Sequence, residues 1–377
     1  MKKIQMVDLQ GQYDSIKDQI NNSLQEIMNT SAFINGPEVQ NFQKELEEYL
    51  GVKHVIPCAN GTDALQIAMM GLGLKPGDEV ITADFTFAAT VEVIALLQLT
   101  PVLVDVDPET FNIDPEAIKK AITPKTKAIV PVHLFGQTAD MNAIMEIAKA
   151  HDLFVIEDNA QAIGADFHSK EAKTYKTGTI GHVGSTSFFP SKNLGCYGDG
   201  GAIFTNDDDL AHTLRGVVNH GMYERYHHDV VGVNSRLDSF QAAVLRAKLP
   251  KLDIYNEARK AAAFRYNDAF KDQKHIKTPL RSGDCDTHVF HQYTLKITNG
   301  KRDALVKHLN ENNIPCGVYY PIPLHNQKAY KDARYNEADF PVTNQLVKEV
   351  ISLPMHTELD TDQIDHITKT IIEFVNN

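Results

Sequence analysis

Apolar and polar positions along the chain follow two rhythms, one helical and one extended. Residues 11–28 and 38–50 bring apolar side chains back at the spacing of an amphipathic helix. Between them, Gly36-Pro37 predicts a loop and then a helix with Pro37 near its first position. Residues 53–58 read as a short apolar strand, and Ala59-Asn60-Gly61-Thr62-Asp63 opens a helix that runs to Met70. From there strands at 79–83, 100–106, 127–132 and 153–157 alternate with helices at 87–97, 115–121 and 139–150. Short β-branched runs separated by helices predict a parallel sheet joined by right-handed crossovers. Ligands of such sheets gather at the carboxyl ends of the strands. The loops of interest are therefore residues 60–63, 84–87, 133–137 and 158–161.

Residues 164–184 are polar and glycine-dotted and read as a surface excursion. A strand follows at 201–205, a helix at 207–216, an ordered loop at 219–238, and a helix at 240–249 that ends at Pro250. A long helix, 253–270, leads away. A strand at 288–297, a helix at 301–312, a strand end at 317–320 and a final helix at 361–374 predict a smaller α+β unit. The expected division is a large α/β domain, residues 1–250, and a C-terminal α+β domain, residues 251–377. No repeat or Ser/Gly linker separates them, so they are expected to share one interface.

Composition narrows the function. The 377 residues are 42% hydrophobic, enough for a large core. A net charge of −12 argues against nucleic acid or an anionic membrane as partner, yet leaves room for a local anion site. No apolar run reaches membrane-spanning length, and the first residues lack a signal-peptide core. A cytoplasmic location is expected. Cys58, Cys196, Cys285 and Cys316 form no CxxC pair, which fits free thiols better than a zinc site. Asn206-Asp207-Asp208-Asp209 reads as helix capping ahead of metal binding. His227-His228 has no carboxylate or cysteine at ligand spacing, so no metal is expected.

Four signals carry chemistry. Lys192 stands between the apolar run Ser187-Phe188-Phe189-Pro190 and the glycine-rich run Gly198-Asp199-Gly200-Gly201. Burial eases deprotonation of an amine, and a neutral lysine attacks aldehydes to form a Schiff base. The plainer reading is a lysine in a tight turn. Asn60-Gly61-Thr62-Asp63 at a strand-to-helix turn suits a phosphate, or is only a cap. GxGxxG and GxxxxGK[ST] motifs are both missing from the sequence, which removes the main support for dinucleotide or NTP binding. Asp158 ends a buried strand and needs a partner, either a structural arginine or a protonated pyridine nitrogen. Phe85-Thr86-Phe87 offers a ring for the core or for a flat cofactor. Jointly, these features match the needs of pyridoxal phosphate.

At these residues the chain resembles the DegT/DnrJ/EryC1/StrS family of sugar aminotransferases, which are fold-type I pyridoxal-phosphate enzymes. The resemblance runs from Val7-Asp8-Leu9 to Ser352-Leu353-Pro354-Met355 and rests on Ala59-Asn60-Gly61-Thr62-Asp63-Ala64-Leu65, Glu157-Asp158-Asn159-Ala160-Gln161, Ser187-Phe188-Phe189-Pro190-Ser191-Lys192 and Gly198-Asp199-Gly200-Gly201. It implies a mainly parallel seven-stranded sheet sandwiched by helices. It further implies that Lys192 is the Schiff-base lysine and proton shuttle and that Asp158 pairs with the pyridine nitrogen. Gln161 would contact the ring hydroxyl, Phe87 would stack on the ring, and Gly61, Thr62 and Ser187 would hold the phosphate. The family works as a homodimer, and Gly232-Val233-Asn234-Ser235-Arg236-Leu237-Asp238 resembles the part donated across the interface. Asn234 would then reach the partner's phosphate and Arg236 the partner's substrate. Read without the resemblance, Arg236 is a helix-start salt bridge. Sugar dehydratases of the family carry histidine where this chain has Lys192, so amination is implied over dehydration.

The implied reaction moves the amino group of L-glutamate, released as 2-oxoglutarate, onto a keto-sugar nucleotide. The nearest resemblance is to enzymes that aminate C3 of a UDP-2-acetamido-3-keto-hexuronic acid for surface polysaccharides. Arg236 could bind the sugar carboxylate, and Tyr320 and His325 are substrate-side candidates. The alternatives are a dTDP-3-keto-6-deoxyhexose as acceptor, or a pyridoxal-phosphate-binding sensor without turnover. A DNA-binding sensor would need spare length and basic charge that this chain lacks.

Overall fold

The computed structural model describes residues 2–279 and 287–376, so Cys285 lies outside the described residues. The chain opens with α1 (Leu9–Asp14), α2 (Lys17–Thr30) and α3 (Pro37–Leu50). The single helix expected at 11–28 is two. The Ser15 hydroxyl donates to the Gln12 carbonyl at 2.7 Å, and Ile16 leaves helical geometry with φ −134° and ψ 9°. Pro37 takes the first turn of α3, as its fixed φ favours.

The alternating part follows as β1 (His54–Cys58), α4 (Gly61–Gly71), β2 (Glu79–Ala83), α5 (Ala89–Leu96), β3 (Thr100–Val104), α6 (Pro115–Ala121), β4 (Thr126–Val130), α7 (Met141–His151) and β5 (Phe154–Asp158). A hairpin of β6 (Asp166–His168) and β7 (Thr174–Lys176) fills part of the expected excursion. Then come β8 (Val183–Ser187), β9 (Gly201–Thr205), α8 (Asp208–Val217), a hairpin of β10 (Met222–Glu224) and β11 (His227–His228), α9 (Ser239–Lys248) and α10 (Leu252–Phe270). Asp207 caps α8 through the Leu210 N–H at 2.9 Å.

Seven strands form one sheet in the order β1-β9-β8-β5-β4-β2-β3. Neighbours are parallel except that β9 runs antiparallel to both β8 and β1. Successive side chains point to opposite faces. Ile81, Ile129 and Val155 pack with α6 and α7 on one face, while Val80, Ala128 and Ile156 pack with α4, α5 and α8 on the other. Strand β8 was not predicted. Its Val-Gly-Ser-Thr-Ser letters are polar, but Ser185 and Thr186 are buried because their hydroxyls donate to the Glu157 and Asn159 carbonyls at 3.1 and 3.2 Å. A side chain at Gly184 would strike the Gly178 carbonyl.

The C-terminal part holds an antiparallel sheet, β12 (Ile276–Lys277), β13 (Tyr293–Ile297) and β14 (Val350–Leu353), with α11 (Arg302–Glu311), α12 (Pro341–Glu349) and α13 (Thr361–Asn376). Its core gathers Tyr266 and Phe270 of α10, Leu295, Leu305 and Ile367. The two halves interlock. Ile4 joins this C-terminal core, whereas Leu346 and Val347 of α12 pack into the core of the large sheet. Helix α12 and strand β14 had no place in the sequence reading. Among the described residues no helix is long and apolar enough to cross a membrane.

Candidate active site

Loops after β1, β2, β5 and β8 converge on a cleft of about 640 Å³. One edge is the start of α4. Asn60 caps the helix, its side chain accepting from the Asp63 N–H at 2.8 Å. The N–H groups of Gly61 and Thr62 belong to the first turn and have no intrahelical acceptor. With the helix dipole they favour an anion. Glycine is required at 61 by close approach, since a Cβ there would lie 2.6 Å from the Ser187 Cβ. That approach sets Ser187, the last residue of β8, beside the same helix end. Its hydroxyl accepts from the Phe189 N–H at 3.2 Å and keeps its own proton to give.

The floor is the end of β5, where two acids take opposite faces. Glu157 is fully buried and structural. It accepts from the N–H groups of Gly178, Ile180 and Gly181 at 2.8, 2.6 and 2.6 Å, and from His133 Nε2 at 2.9 Å. His133 Nδ1 accepts from the Ala139 N–H at 3.1 Å, so its imidazole is the neutral Nε2–H form. Asp158 turns to the cleft. Thr90 Oγ1 donates to its Oδ2 at 2.8 Å, and the Ala160 N–H donates to its Oδ1 at 3.1 Å. It forms no ion pair among the described residues, so the structural arginine weighed above is not there. A buried carboxylate without a cation has capacity for a charged donor.

The walls are aromatic. Phe85 is 1% exposed and packs edge-on to Phe135 in the core, whereas Phe87 is 58% exposed at the cleft. Tyr320 closes the opposite side, its ring centroid 6.3 Å from that of Phe87. Gln161 lies between, donating from Nε2 to the Tyr320 hydroxyl at 3.2 Å and accepting from the Phe135 N–H at 2.7 Å.

Lys192 sits on the β8–β9 loop, half-buried, and lines the cleft. Burial lowers its ammonium to about 8, against the pull of the Asp158 carboxylate. His291 lines the same space. Burial and then the Lys192 charge push its imidazole well below the ordinary value, so it is neutral, and its Nδ1 has no hydrogen-bond partner. Gly61, Thr62, Phe87, Asp158, Gln161, Ser187, Lys192 and Tyr320 thus meet in one cleft.

Three expected site residues lie elsewhere. Asn234 is exposed and Arg236 half-buried, both outside the cleft lining of their own chain. Arg236 has no carboxylate partner among the described residues, so the helix-start salt bridge is not seen. His325 is buried against Asp84 at 2.7 Å and stacks on Phe340. It is not among the residues that line the cleft of its own chain. Sequence reasoning missed Thr90, Phe189, Asp199, His291 and Gln292. His291 and Gln292 arrive from the connection before β13, where nothing local marks them.

Pyridoxal phosphate fits this donor set: N–H groups and a hydroxyl for the phosphate, an uncompensated carboxylate for the ring nitrogen, an exposed ring for its face, and an amine that loses its proton near neutrality. Fold and site define a pyridoxal-phosphate-dependent enzyme of fold type I. The chain belongs to the DegT/DnrJ/EryC1/StrS aminotransferase family, whose model matches residues 14–372. It is 48% identical to the UDP-2-acetamido-2-deoxy-3-oxo-D-glucuronate aminotransferase of Pseudomonas aeruginosa, over 96% of this chain and 97% of that one. It is 46% identical to a protein of Geobacillus stearothermophilus named pleiotropic regulatory protein, over 98% of each. Among solved structures, a DegT/DnrJ/EryC1/StrS aminotransferase from Brucella abortus superposes with a TM-score of 0.92 at 44% identity, covering 99% of this chain and 100% of that chain. NtdA of Bacillus subtilis with bound PMP superposes at 0.88 with 33% identity, covering 96% and 82%.

Proposed function

We propose that this aminotransferase transfers the amino group of L-glutamate to C3 of a UDP-linked 2-acetamido-3-keto-hexuronic acid, in the cytoplasm, for surface polysaccharide synthesis. The full-length similarity to the Pseudomonas enzyme carries the substrate; the joint placement of Lys192 and Asp158 in one cleft supports the chemistry. When bound, the cofactor supplies a ring that takes up the charge left as the donor's Cα–H bond breaks. The residues of the chain hold and move protons around it. Lys192 Nζ, neutral in part of the population at pH 8, would take that proton and return it to the carbon that carried the cofactor's aldehyde. Asp158, fixed by Thr90 and Ala160, keeps the ring nitrogen protonated. Gly61, Thr62 and Ser187 seat the phosphate, Phe87 covers a ring face, and Gln161 meets the ring hydroxyl. On the acceptor side Tyr320 borders the sugar. Arg236 and Asn234, turned away from their own cleft, complete that of a second copy in a homodimer, where Arg236 pairs with the sugar carboxylate. Residues 1–250 serve as the cofactor-binding domain and 251–377 as the smaller one.

A second reading, a sensor that binds the cofactor without turnover, draws support from the name of the Geobacillus relative. One experiment separates the two. The purified holoenzyme is mixed with L-glutamate, and conversion of the bound cofactor to its amine form is followed by absorbance. A panel of UDP- and dTDP-keto-sugars is then added. Conversion by glutamate and reversal by the UDP-keto-hexuronic acid are expected. No conversion favours the sensor. Reversal by a dTDP-keto-deoxyhexose alone replaces the proposed acceptor.

A further inference from the structure

The segment after Tyr320 lies along the large sheet and is fastened there by polar contacts that the proposed chemistry leaves unused. The Leu324 N–H donates to the Asp84 carbonyl at 3.3 Å. His325 then gives the Asp84 carboxylate two hydrogen bonds, its N–H to Oδ1 and its Nδ1 to Oδ2, both at 2.7 Å. Farther along, the Tyr335 hydroxyl donates to the Pro101 carbonyl at 2.7 Å. Asp105 accepts from the N–H groups of Val342 and Thr343 at 2.8 and 2.9 Å, at the start of α12.

The His325–Asp84 joint is the buried one, with His325 4% and Asp84 1% exposed. Phe340 stacks on the imidazole with centroids 4.3 Å apart. Nδ1 faces Asp84, while Nε2 has no hydrogen-bond partner and the Glu337 carboxylate stands 3.6 Å from it. A buried polar pair contributes little net stability over apolar packing and is better at fixing one arrangement among several. Its place says which arrangement. Asp84 directly precedes Phe85-Thr86-Phe87, of which Thr86 and Phe87 line the cleft. His325 follows Tyr319-Tyr320-Pro321, the opposite wall. The Phe85 and Tyr320 rings already meet edge-on at 5.8 Å.

We propose that Asp84 and His325 are positioning residues for the aminotransferase reaction: by tying the Phe85–Phe87 loop to the strap after Tyr320, they set the spacing of the two aromatic walls and the pose of Phe87 over the cofactor. The inference rests on the pyridoxal-phosphate reading of the cleft. The joint also responds to pH. Burial raises the Asp84 carboxyl to about 6 against the opposing pull of His325, and the Asp105 carboxylate adds to the rise. Tyr335 is a further ionisable neighbour of Asp84. Glu337, across from Nε2, is held low first by its Asn326 hydrogen bond. As pH falls through about 6 the Asp84 carboxylate takes a proton, and the charge-assisted joint becomes a neutral one.

Three variants test this in the holoenzyme: His325→Leu, which removes the donor; His325→Asn, which keeps an N–H near the Nδ1 position; and Asp84→Asn, which removes the charge. The readouts are visible circular dichroism of the bound cofactor, KM and kcat for L-glutamate, and thermal unfolding. His325→Leu is expected to lose at least about half of the dichroic amplitude and to raise KM about tenfold, a misplacement effect, with cofactor still bound one per chain. His325→Asn should restore both to within about twofold. The native dichroism should change with a midpoint near pH 6, and Asp84→Asn should lack that change. If His325→Leu lowers only the unfolding temperature, or if Asp84→Asn keeps the pH response, the positioning role is overturned. Wild-type binding of pyridoxal phosphate is measured first; failure there sinks the reading of the cleft itself, whereas binding with an unaltered His325→Leu sinks this inference alone.

Discussion

Lys192 illustrates how a residue's chemistry is set by its surroundings. Its amine lies in the cleft, and the carboxylate that pulls on it, Asp158, is held by Thr90 and the Ala160 N–H. Replacing Lys192 by Ala should remove the absorbance of the lysine-bound cofactor and lower turnover at least about a thousandfold; retained activity would exclude Lys192 as the amine. The lowered basicity of Lys192 also has a stability consequence. Between about pH 8 and 10.5 the unfolded lysine holds a proton that the folded one has lost, so this group makes stability rise with pH across that window. The penalty for the buried ammonium is fully present below pH 8. Apo Lys192→Met should therefore be more stable to denaturant than the native apo chain at pH 7, by up to about 3 kcal/mol, and the gap should close by pH 10.5. A gap independent of pH would mean that Lys192 is protonated alike in both states. Lys192, Asp158 and Phe87 were legible in the sequence because each stands in local company that marks it. His325 was not, because its partner Asp84 stands 241 residues earlier in the chain. Its burial is a tertiary fact that no local pattern carries.

At the scale of elements, the phosphate seat depends on how closely α4 approaches β8. Gly61→Ala places a methyl group 2.6 Å from the Ser187 Cβ, and something must shift. Affinity for pyridoxal phosphate should fall at least about tenfold with the fold retained, as measured by titrating the apo chain. An unchanged affinity would remove this helix end from the phosphate site. Glu157→Gln tests the strand beside it. The substitution trades a charged acceptor of four hydrogen bonds for an amide that can satisfy fewer donors. A loss of about 2–4 kcal/mol in stability is expected, read by denaturant unfolding, and a loss within error would mean that the connection from β7 to β8 holds without it. The alternating elements of the large sheet were readable from β-branched runs between helical ones. Strand β8 was hidden, because a strand at the site is built of small, hydrogen-bonding residues, with Gly184 pressed against Gly178.

For the whole molecule, the exposed Asn234 and unpaired Arg236 make a quantitative prediction about assembly. Lys192→Ala and Arg236→Ala chains should each be inactive. When they are unfolded and refolded together in equal amounts, half of the dimers are mixed, and one site in each mixed dimer carries both native residues. About a quarter of native activity should return. If Arg236 serves its own chain, mixing restores nothing. The helical pattern that follows Leu249 was legible, and α10 spans Leu252–Phe270. The interlocking of the halves through Ile4 and α12 was not, since it joins residues far apart in sequence.

The antiparallel course of β9 has one more consequence. A parallel successor to β8 would have required a crossover helix, carrying the chain away from the cleft and back. Instead Ser187 and Gly201 are register partners, and the loop that bears Lys192 leaves and returns between neighbouring strands about 5 Å apart. The reactive residue is thus mounted on an exchangeable cassette. Its tip can be rewritten without changing the register of the sheet, the phosphate seat or the acid at the end of β5. One frame can then be adapted to new chemistry by changing a single side chain, and divergence toward dehydration through histidine at position 192 would require no new architecture.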